Sequence, residues 1–211
     1  MIQDKPISTP SLAQKLEIFS GELIEDGKYE HILFQDIDFS KLVIQDIRFS
    51  NSKFEKVDLS NVKFPKLYIS DCIFNESNIA NSVWNEIAIK TTEFNNSRLT
   101  GLQLNETVLY DVVFSDCKID YGQFQDMTCK RVKFLRCNLS NAYFQGSDLS
   151  NVIFEDCDLN EADFSGTRLK GANFSGSKIS GMRVAVNNLN NVTFDTEQVF
   201  YLVQLLGVKI Q

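Results

Sequence analysis

The chain has 211 residues but only one histidine, His31, and it lacks the residue sets on which most enzymatic sites depend. Histidine dyads, triads with a histidine base and multi-histidine metal sites cannot be assembled from one imidazole in one chain. The sequence also has no glycine-rich phosphate loop that opens a helix, and its remaining acid and base candidates are scattered carboxylates. The sequence therefore predicts a protein without enzymatic activity, bound metal or cofactor.

Positive charge and long apolar runs are also scarce. Lysine and arginine number 21 against 28 aspartate and glutamate residues, a net charge of −7. Direct binding of nucleic acid needs a basic footprint, so it is not expected. No apolar run approaches membrane-spanning length, and residues 1–10 show neither the basic start nor the apolar stretch of a secretory signal. We expect a cytoplasmic protein without a membrane anchor.

Phenylalanine, in contrast, is abundant and strictly periodic. It recurs every twenty residues without a break at Phe34, Phe54, Phe74, Phe94, Phe114, Phe134, Phe154, Phe174 and Phe194. Between these positions every fifth residue is apolar, which gives 33 consecutive apolar centres from Phe34 to Phe194. This periodicity predicts a solenoid in which one coil closes after twenty residues and the next stacks on it, with the phenylalanines as a structural ladder.

A period of five fits neither an α-helix, where an apolar fifth residue would spiral around the axis, nor a flat strand, where successive centres would alternate faces. The chain must therefore turn a corner once per five residues. Centres twenty apart share their identity, for example leucine or isoleucine in the column that begins at Phe39, so one coil has four sides. The residue two before each centre is mostly small or β-branched and is expected to point inward as well.

The pentapeptides at 162–166, Ala-Asp-Phe-Ser-Gly, and 172–176, Ala-Asn-Phe-Ser-Gly, resemble the pentapeptide-repeat family. The resemblance covers residues 32–196 and is closest from 138 to 181. It implies an all-β fold, a right-handed quadrilateral parallel β-helix of about eight coils of four pentapeptides.

Both ends of such a stack need a cover, because unpaired strand edges promote aggregation. Residues 1–30 lie outside clear register and are interpreted as an N-terminal cap, residues 31–195 as the solenoid, and residues 196–211 as a C-terminal capping helix and tail. A capping-box pattern at 195–198 and a stop at Gly207 place the helix near 196–206.

The apolar residues of this helix fall into two groups. We expect Val199, Leu202, Val203 and Leu206 to close the last coil. Tyr201, Leu205 and Val208 then remain as a candidate dimer interface, and the alternative is that the tail folds back and buries them.

The five cysteines have no CxxC spacing, and Cys117, Cys137 and Cys157 fall in one inward column. Core packing is favoured over a thiolate ladder for a soft metal or a disulfide, because small buried thiols are ordinary in such a core.

Stacking also aligns surface charges. Glu86, Glu106 and Asp126 should lie above one another, each preceded by an amide, of which Asn85 and Asn105 are two. One interpretation is an acidic stripe that occupies a cationic groove of a protein partner; the other is a solvated face of an acidic protein. A basic patch is expected in the middle of the rod, at Lys130, Arg131, Lys133 and Arg136.

The best-understood members of the family resemble B-form DNA in width and charge, bind type II topoisomerases such as gyrase and protect them from quinolone-like poisons. They dimerise through their C-terminal helices. Residues 202–208, Leu-Val-Gln-Leu-Leu-Gly-Val, are similar to the ending of that branch, although this chain has no inserted loops. The resemblance implies a DNA mimic and homodimer whose partner is DNA gyrase or topoisomerase IV. The alternative is a general interaction scaffold or regulator with an unrelated protein partner.

Overall fold

The computed structural model describes residues 6–205 and 207, and these residues form a parallel β-solenoid. Eleven strands of the described residues belong to one sheet, and every strand pairing is parallel. The strands are β1 (Glu17–Ile18), β2 (Gly27–Glu30), β3 (Ile32–Gln35), β4 (Asp46–Ser50), β5 (Lys53–Glu55), β6 (Lys66–Ser70), β7 (Ile73–Asn75), β8 (Ala88–Asn95), β9 (Val108–Ser115), β10 (Thr128–Leu135) and β11 (Ile153–Glu155). The described residues also form two 3₁₀ turns, Val186–Leu189 and Thr196–Gln198, and one helix, α1 (Val199–Leu205).

Each coil has four sides, and each side pairs with the same side of the next coil twenty residues later. We number the sides by their first apolar centres: Phe34 (first), Phe39 (second), Ile44 (third) and Phe49 (fourth). The first and fourth sides form regular ladders, as in the pairs Phe94 with Phe114 and Ile89 with Leu109 of β8 and β9. The second and third sides stack through single bridges such as Asp38–Asp58 and Lys63–Val83. The predicted four-sided β-helix is confirmed.

The corners explain the period of five. The second residue after most centres has a left-handed backbone, as at Glu106 with φ 56° and Asp126 with φ 54°. Such a residue turns the chain onto the next side. Gly176, with φ +74°, occupies the same position, and a Cβ there would lie 2.0 Å from Oδ1 of Asp156 in the preceding coil. Glycine suits this corner because it adopts the left-handed conformation without strain and leaves room for the side chain of Asp156.

The interior is filled by the predicted apolar centres. The nine rings of the phenylalanine ladder stack in eight successive steps with centroid separations of 4.2 to 5.2 Å. The second inward position is buried as well, and its polar side chains bond to main-chain carbonyls. The Sγ–H of Cys137, for example, donates to the carbonyl oxygen of Phe114 at 3.4 Å. All five cysteines are free and buried, as the core interpretation requires.

The pairing begins before residue 31. β2 pairs with β4 in the twenty-residue register, and β1 pairs with β3, so part of the predicted cap is built as an incomplete first coil. The ring of Phe19 lies 4.8 Å from that of Phe34 and packs over the end of the phenylalanine ladder.

The C-terminal end is closed by the predicted capping box. The side chain of Asp195 accepts a bond from the backbone of Gln198, and the Gln198 side chain accepts one from the backbone of Asp195. The amide of Gln198 also donates to the carbonyl oxygens of Phe174 at 2.8 Å and Ser177 at 2.6 Å.

The expected apolar stripe of the helix is partly wrong. The helix is preceded by a 3₁₀ turn that points Gln198 inward. Val199 is therefore turned away from the core and is 48% exposed, whereas Leu202 packs against the core. Leu206 and Val208 lie outside the described residues.

Residues 6–16, here called the strap, do not cover the end of the stack as the cap interpretation expected. They run along its side, over the corner between the fourth and first sides. The carbonyl oxygen of Ser11 accepts a hydrogen bond from Nδ2 of Asn51 at 2.9 Å, and Ser8 lies beside the carboxylate of Asp111, three coils further along. Pro6 and Ile7 line one cavity together with residues of the stretches 128–132 and 148–153. Because these contacts are made at isolated points, they carry no periodic signal in the sequence.

We expect Phe114→Ala to destabilise the protein by about 3 to 5 kcal/mol, because the fully buried ring has neighbours 4.8 Å above and below and its removal leaves a cavity. Reversible denaturation measures this change. A loss below about 1 kcal/mol would show that the phenylalanine ladder is not a tightly packed interior.

The carboxylate of Asp111 predicts a pH dependence of stability. The bidentate bond from Arg131, together with bonds from Ser8, holds the pKa of Asp111 below its ordinary value although burial opposes this shift. A lowered folded-state pKa stabilises the fold above the unfolded pKa, about 3.9, and this contribution disappears as the pH falls through the folded pKa.

Asp111→Asn should therefore lower the free energy of unfolding at neutral pH, and the difference from the parent should shrink towards acid pH. Urea titrations at several pH values measure both. A difference that stays constant down to the acid limit would contradict the assignment.

Candidate partner-binding surface

Glu86, Glu106 and Asp126 occupy one corner, between the third and fourth sides, in three successive coils; we call them the acidic corner. All three side chains are exposed, and their backbones share the left-handed conformation. The backbone N–H of Glu86 donates to the carbonyl of Asn105 at 2.9 Å, and that of Glu106 to the carbonyl of Gln125 at 2.9 Å. The main chain is thus fixed by the coil that follows, while the carboxylates face water.

The amides beside these acids have a structural task. Oδ1 of Asn85 accepts a bond from the backbone N–H of Asn105 at 2.9 Å, and Oδ1 of Asn105 accepts one from that of Gln125 at 3.0 Å. Like charges at about one strand spacing repel, and these bonds between successive coils offset the repulsion. The oxygens of Asn85 and Asn105 are therefore engaged within the solenoid, and their NH₂ groups remain as donors for a partner.

A shallow depression of about 490 Å³ extends from the acidic corner across the third side. Its lining is polar and includes Glu106, Asp126, Gln103, Gln123 and the half-exposed ring of Tyr121. A broad depression of this kind, with amides, carboxylates and one aromatic ring, suits a protein surface better than a small ligand, which is usually enclosed by apolar walls.

The expected basic patch is mostly neutralised. The guanidinium of Arg131 pairs with Asp111 at 2.5 Å, that of Arg136 pairs with Asp116 at 2.7 Å, and Lys133 pairs with Glu155 at 2.6 Å. Each arginine lies twenty residues after its aspartate, so stacking brings the partners together. The pKa of Asp116 is held below its ordinary value by Arg136. The ion pairs of the described residues do not include Glu86, Glu106 or Asp126, so the acidic corner keeps its charge.

Near the C-terminus, Val199, Phe200 and Tyr201 form an exposed apolar patch. The rings of Phe200 and Tyr201 meet edge to face at 5.7 Å. Leu205 is half-buried and lines a small cavity with Tyr201 and Met182. Sequence reasoning selected Tyr201 and Leu205 but missed Phe200, although it is one of the two phenylalanines outside the apolar centres.

Two negative findings concern the described residues alone. No helix among residues 6–205 is long and apolar enough to cross a membrane. The same residues contain no group of three or more histidine, cysteine, aspartate or glutamate side chains arranged to hold a metal ion.

Comparison with known proteins agrees with this architecture. A model of the pentapeptide repeat region matches residues 67–144 and 87–164. A trypsin-treated variant of QnrB1, a plasmid-mediated fluoroquinolone resistance protein, superposes with a TM-score of 0.53 at 16% identity, covering 95% of this chain and 99% of that one. Full-length QnrB1 has a TM-score of 0.45 at 11% identity, covering 87% of this chain and 100% of that one. No curated protein sequence matches the chain.

A further solved structure, the pentapeptide-repeat protein Rfr23 of the cyanobacterium Cyanothece, matches at a TM-score of 0.29 and 16% identity, covering 58% of this chain and 64% of that one. At 16% identity the superposition on the trypsin-treated QnrB1 variant establishes the fold and nothing finer. The fold, with a corner after every fifth residue, defines a parallel β-solenoid. Residues 67–164 of the chain match the pentapeptide repeat region, and the superposition on the QnrB1 variant shows the same fold.

Proposed function

We propose that this protein binds a type II topoisomerase, DNA gyrase or topoisomerase IV, by presenting the acidic corner in place of DNA phosphates, and that it modulates the enzyme or protects it from quinolone-like poisons. The observation that carries the proposal is the acidic corner itself. It holds three exposed carboxylates in successive coils, outside the ion pairs that neutralise the arginines elsewhere on the rod.

Electrostatics supports this choice. Carboxylates on a fixed backbone repel one another. Here the hydrogen bonds that Asn85 and Asn105 accept from the next coil hold the carboxylates close together, and no counter-charge does so. A cationic groove relieves that repulsion when it binds, so the repulsion favours the complex over the free protein. The likeness to the fold of QnrB1, a fluoroquinolone resistance protein, favours a topoisomerase over an unrelated cationic partner.

The exposed apolar patch at the C-terminus supports a homodimer in which two rods join end to end through Tyr201, Leu205 and, beyond the described residues, Val208. A two-fold contact uses the same surface on both copies, and an exposed aromatic pair is a suitable centre for it.

The triple variant Glu86→Lys, Glu106→Lys and Asp126→Lys tests the acidic corner. We expect an unchanged circular dichroism spectrum, because the side chains face water and lysine already occupies the equivalent backbone conformation at Lys56, with φ 54°. Competition with duplex DNA for purified gyrase and topoisomerase IV should fall about tenfold or more. For the parent protein, competition should weaken as salt screens the charges.

The matched control reverses Asp36, Glu76 and Asp156, which are exposed, lie at the diagonally opposite corner and share the left-handed backbone. The net charge changes equally, so retained competition in the control assigns the effect to the acidic corner. Equal loss in both variants would show only a dependence on net charge. No binding by the parent protein would favour the general scaffold with an unrelated partner.

Sedimentation tests the dimer. The parent should sediment as a dimer, and Tyr201→Glu with Leu205→Glu should give a folded monomer, because two buried carboxylates oppose a two-fold apolar contact. A parent protein that stays monomeric at high concentration would contradict the end-to-end dimer.

A further inference from the structure

The outward face of the fourth side is positively charged, with Arg48, Lys90 and Lys130. Its outward positions from Arg48 to Lys130 span five coils and contain no carboxylate, although the whole protein carries a charge of −7. The two outward columns are Arg48, Tyr68, Ala88, Val108 and Thr128, and Ser50, Ser70, Lys90, Tyr110 and Lys130.

The centre of this side exposes apolar surface. Tyr68 is 48% exposed, Val108 41% and Tyr110 37%, while their own backbones are paired with the neighbouring coils. A flat sheet face with two tyrosines and a valine in the open has the composition of an interface centre, where tyrosine is a frequent anchor.

Both tyrosine rings are held in place. The guanidinium carbon of Arg48 lies 4.5 Å from the ring centroid of Tyr68, and that of Arg131 lies 4.1 Å from that of Tyr110. Arg131 is itself fixed by its bidentate bond to Asp111. Rings that are ordered before binding lose little conformational freedom when a partner covers them.

Charge is separated across this side. The acidic corner borders it on one edge, while Lys90 and Lys130 lie near the opposite edge, four residues or about 13 Å further along each coil. A complementary surface has a cationic strip, an apolar centre and an acidic strip in that order. Duplex DNA has no such order, and its phosphates would meet the acidic corner, so the geometry fits a protein.

We propose that the fourth side is a second recognition surface, on which an acidic, apolar-centred protein surface of the topoisomerase docks beside its DNA-binding groove. This inference rests on the proposed function. It adds to the acidic corner a set of contacts that are specific to a protein partner. A DNA mimic that carried phosphate-like charge only would compete with DNA on equal terms, whereas the fourth side makes contacts that DNA cannot make.

Two variants and one control test this surface by titration against purified gyrase and topoisomerase IV at low and high salt. The first variant is Lys90→Glu with Lys130→Glu, and its control is Lys118→Glu with Lys178→Glu, two exposed lysines on the opposite, second side. The second variant is Tyr68→Ser with Val108→Ser. All of the substituted side chains project into solvent. Each variant should therefore match the parent in its circular dichroism spectrum and its unfolding midpoint, which verifies that it is folded.

We expect the lysine variant to lose about tenfold or more in affinity at low salt, with the control within about twofold of the parent. The tyrosine–valine variant should lose affinity at both salt concentrations, because apolar contact is not screened by ions.

Three results would overturn the inference. If both variants bind as the parent does, the fourth side is not a recognition surface, and the proposal for the acidic corner still stands. Direct binding of duplex or single-stranded DNA by the parent, lost in the lysine variant, makes this side a nucleic-acid surface instead. A parent protein that binds neither topoisomerase removes the proposed function and this inference together.

Discussion

The stacking of each side of a coil on the same side of the next is the constraint on which every other feature depends. The separation of the phenylalanine rings, 4.2 to 5.2 Å, is close to the spacing of hydrogen-bonded strands, about 4.8 Å, so one repeat distance satisfies the main chain and the core at once. The left-handed corners keep this distance by turning the chain after every fifth residue. An insertion that did not loop out of its side would shift all later centres off the ladder.

The same constraint organises the surface. Outward residues twenty apart become neighbours, and the chain uses this in two opposite ways. At Asp111 and Arg131, and again at Asp116 and Arg136, successive coils carry opposite charges that form ion pairs. At the acidic corner they carry the same charge, held together by Asn85 and Asn105. A periodic scaffold thus converts a choice of residue at one repeat position into either a neutral or a charged strip.

Sequence reasoning recovered what is periodic and failed where contacts are not. The four sides, the phenylalanine ladder, the buried cysteines and the capping box at Asp195 all follow from local pattern. The ion pairs of Arg131 with Asp111 and of Arg136 with Asp116 were missed, although each arginine follows its aspartate by twenty residues in the sequence. The position of the strap could not be predicted, because Ser8 lies against Asp111 at one isolated point and the sequence has no repeat that indicates this contact. The rotation that exposes Val199 depends on the 3₁₀ turn before it, which propensity does not fix.

The strap reverses the usual order of folding in a repeat array, where each coil needs only its neighbour. Ser8 leaves the ribosome first, yet Asp111 is synthesised about a hundred residues later, roughly 5 to 20 seconds at ordinary rates of translation. Coils can stack as they emerge, whereas the strap has no complete docking site until residues 128–153 have joined the stack. The strap is therefore synthesised before the coils on which it docks, and its docking waits until the coils through residue 153 have stacked.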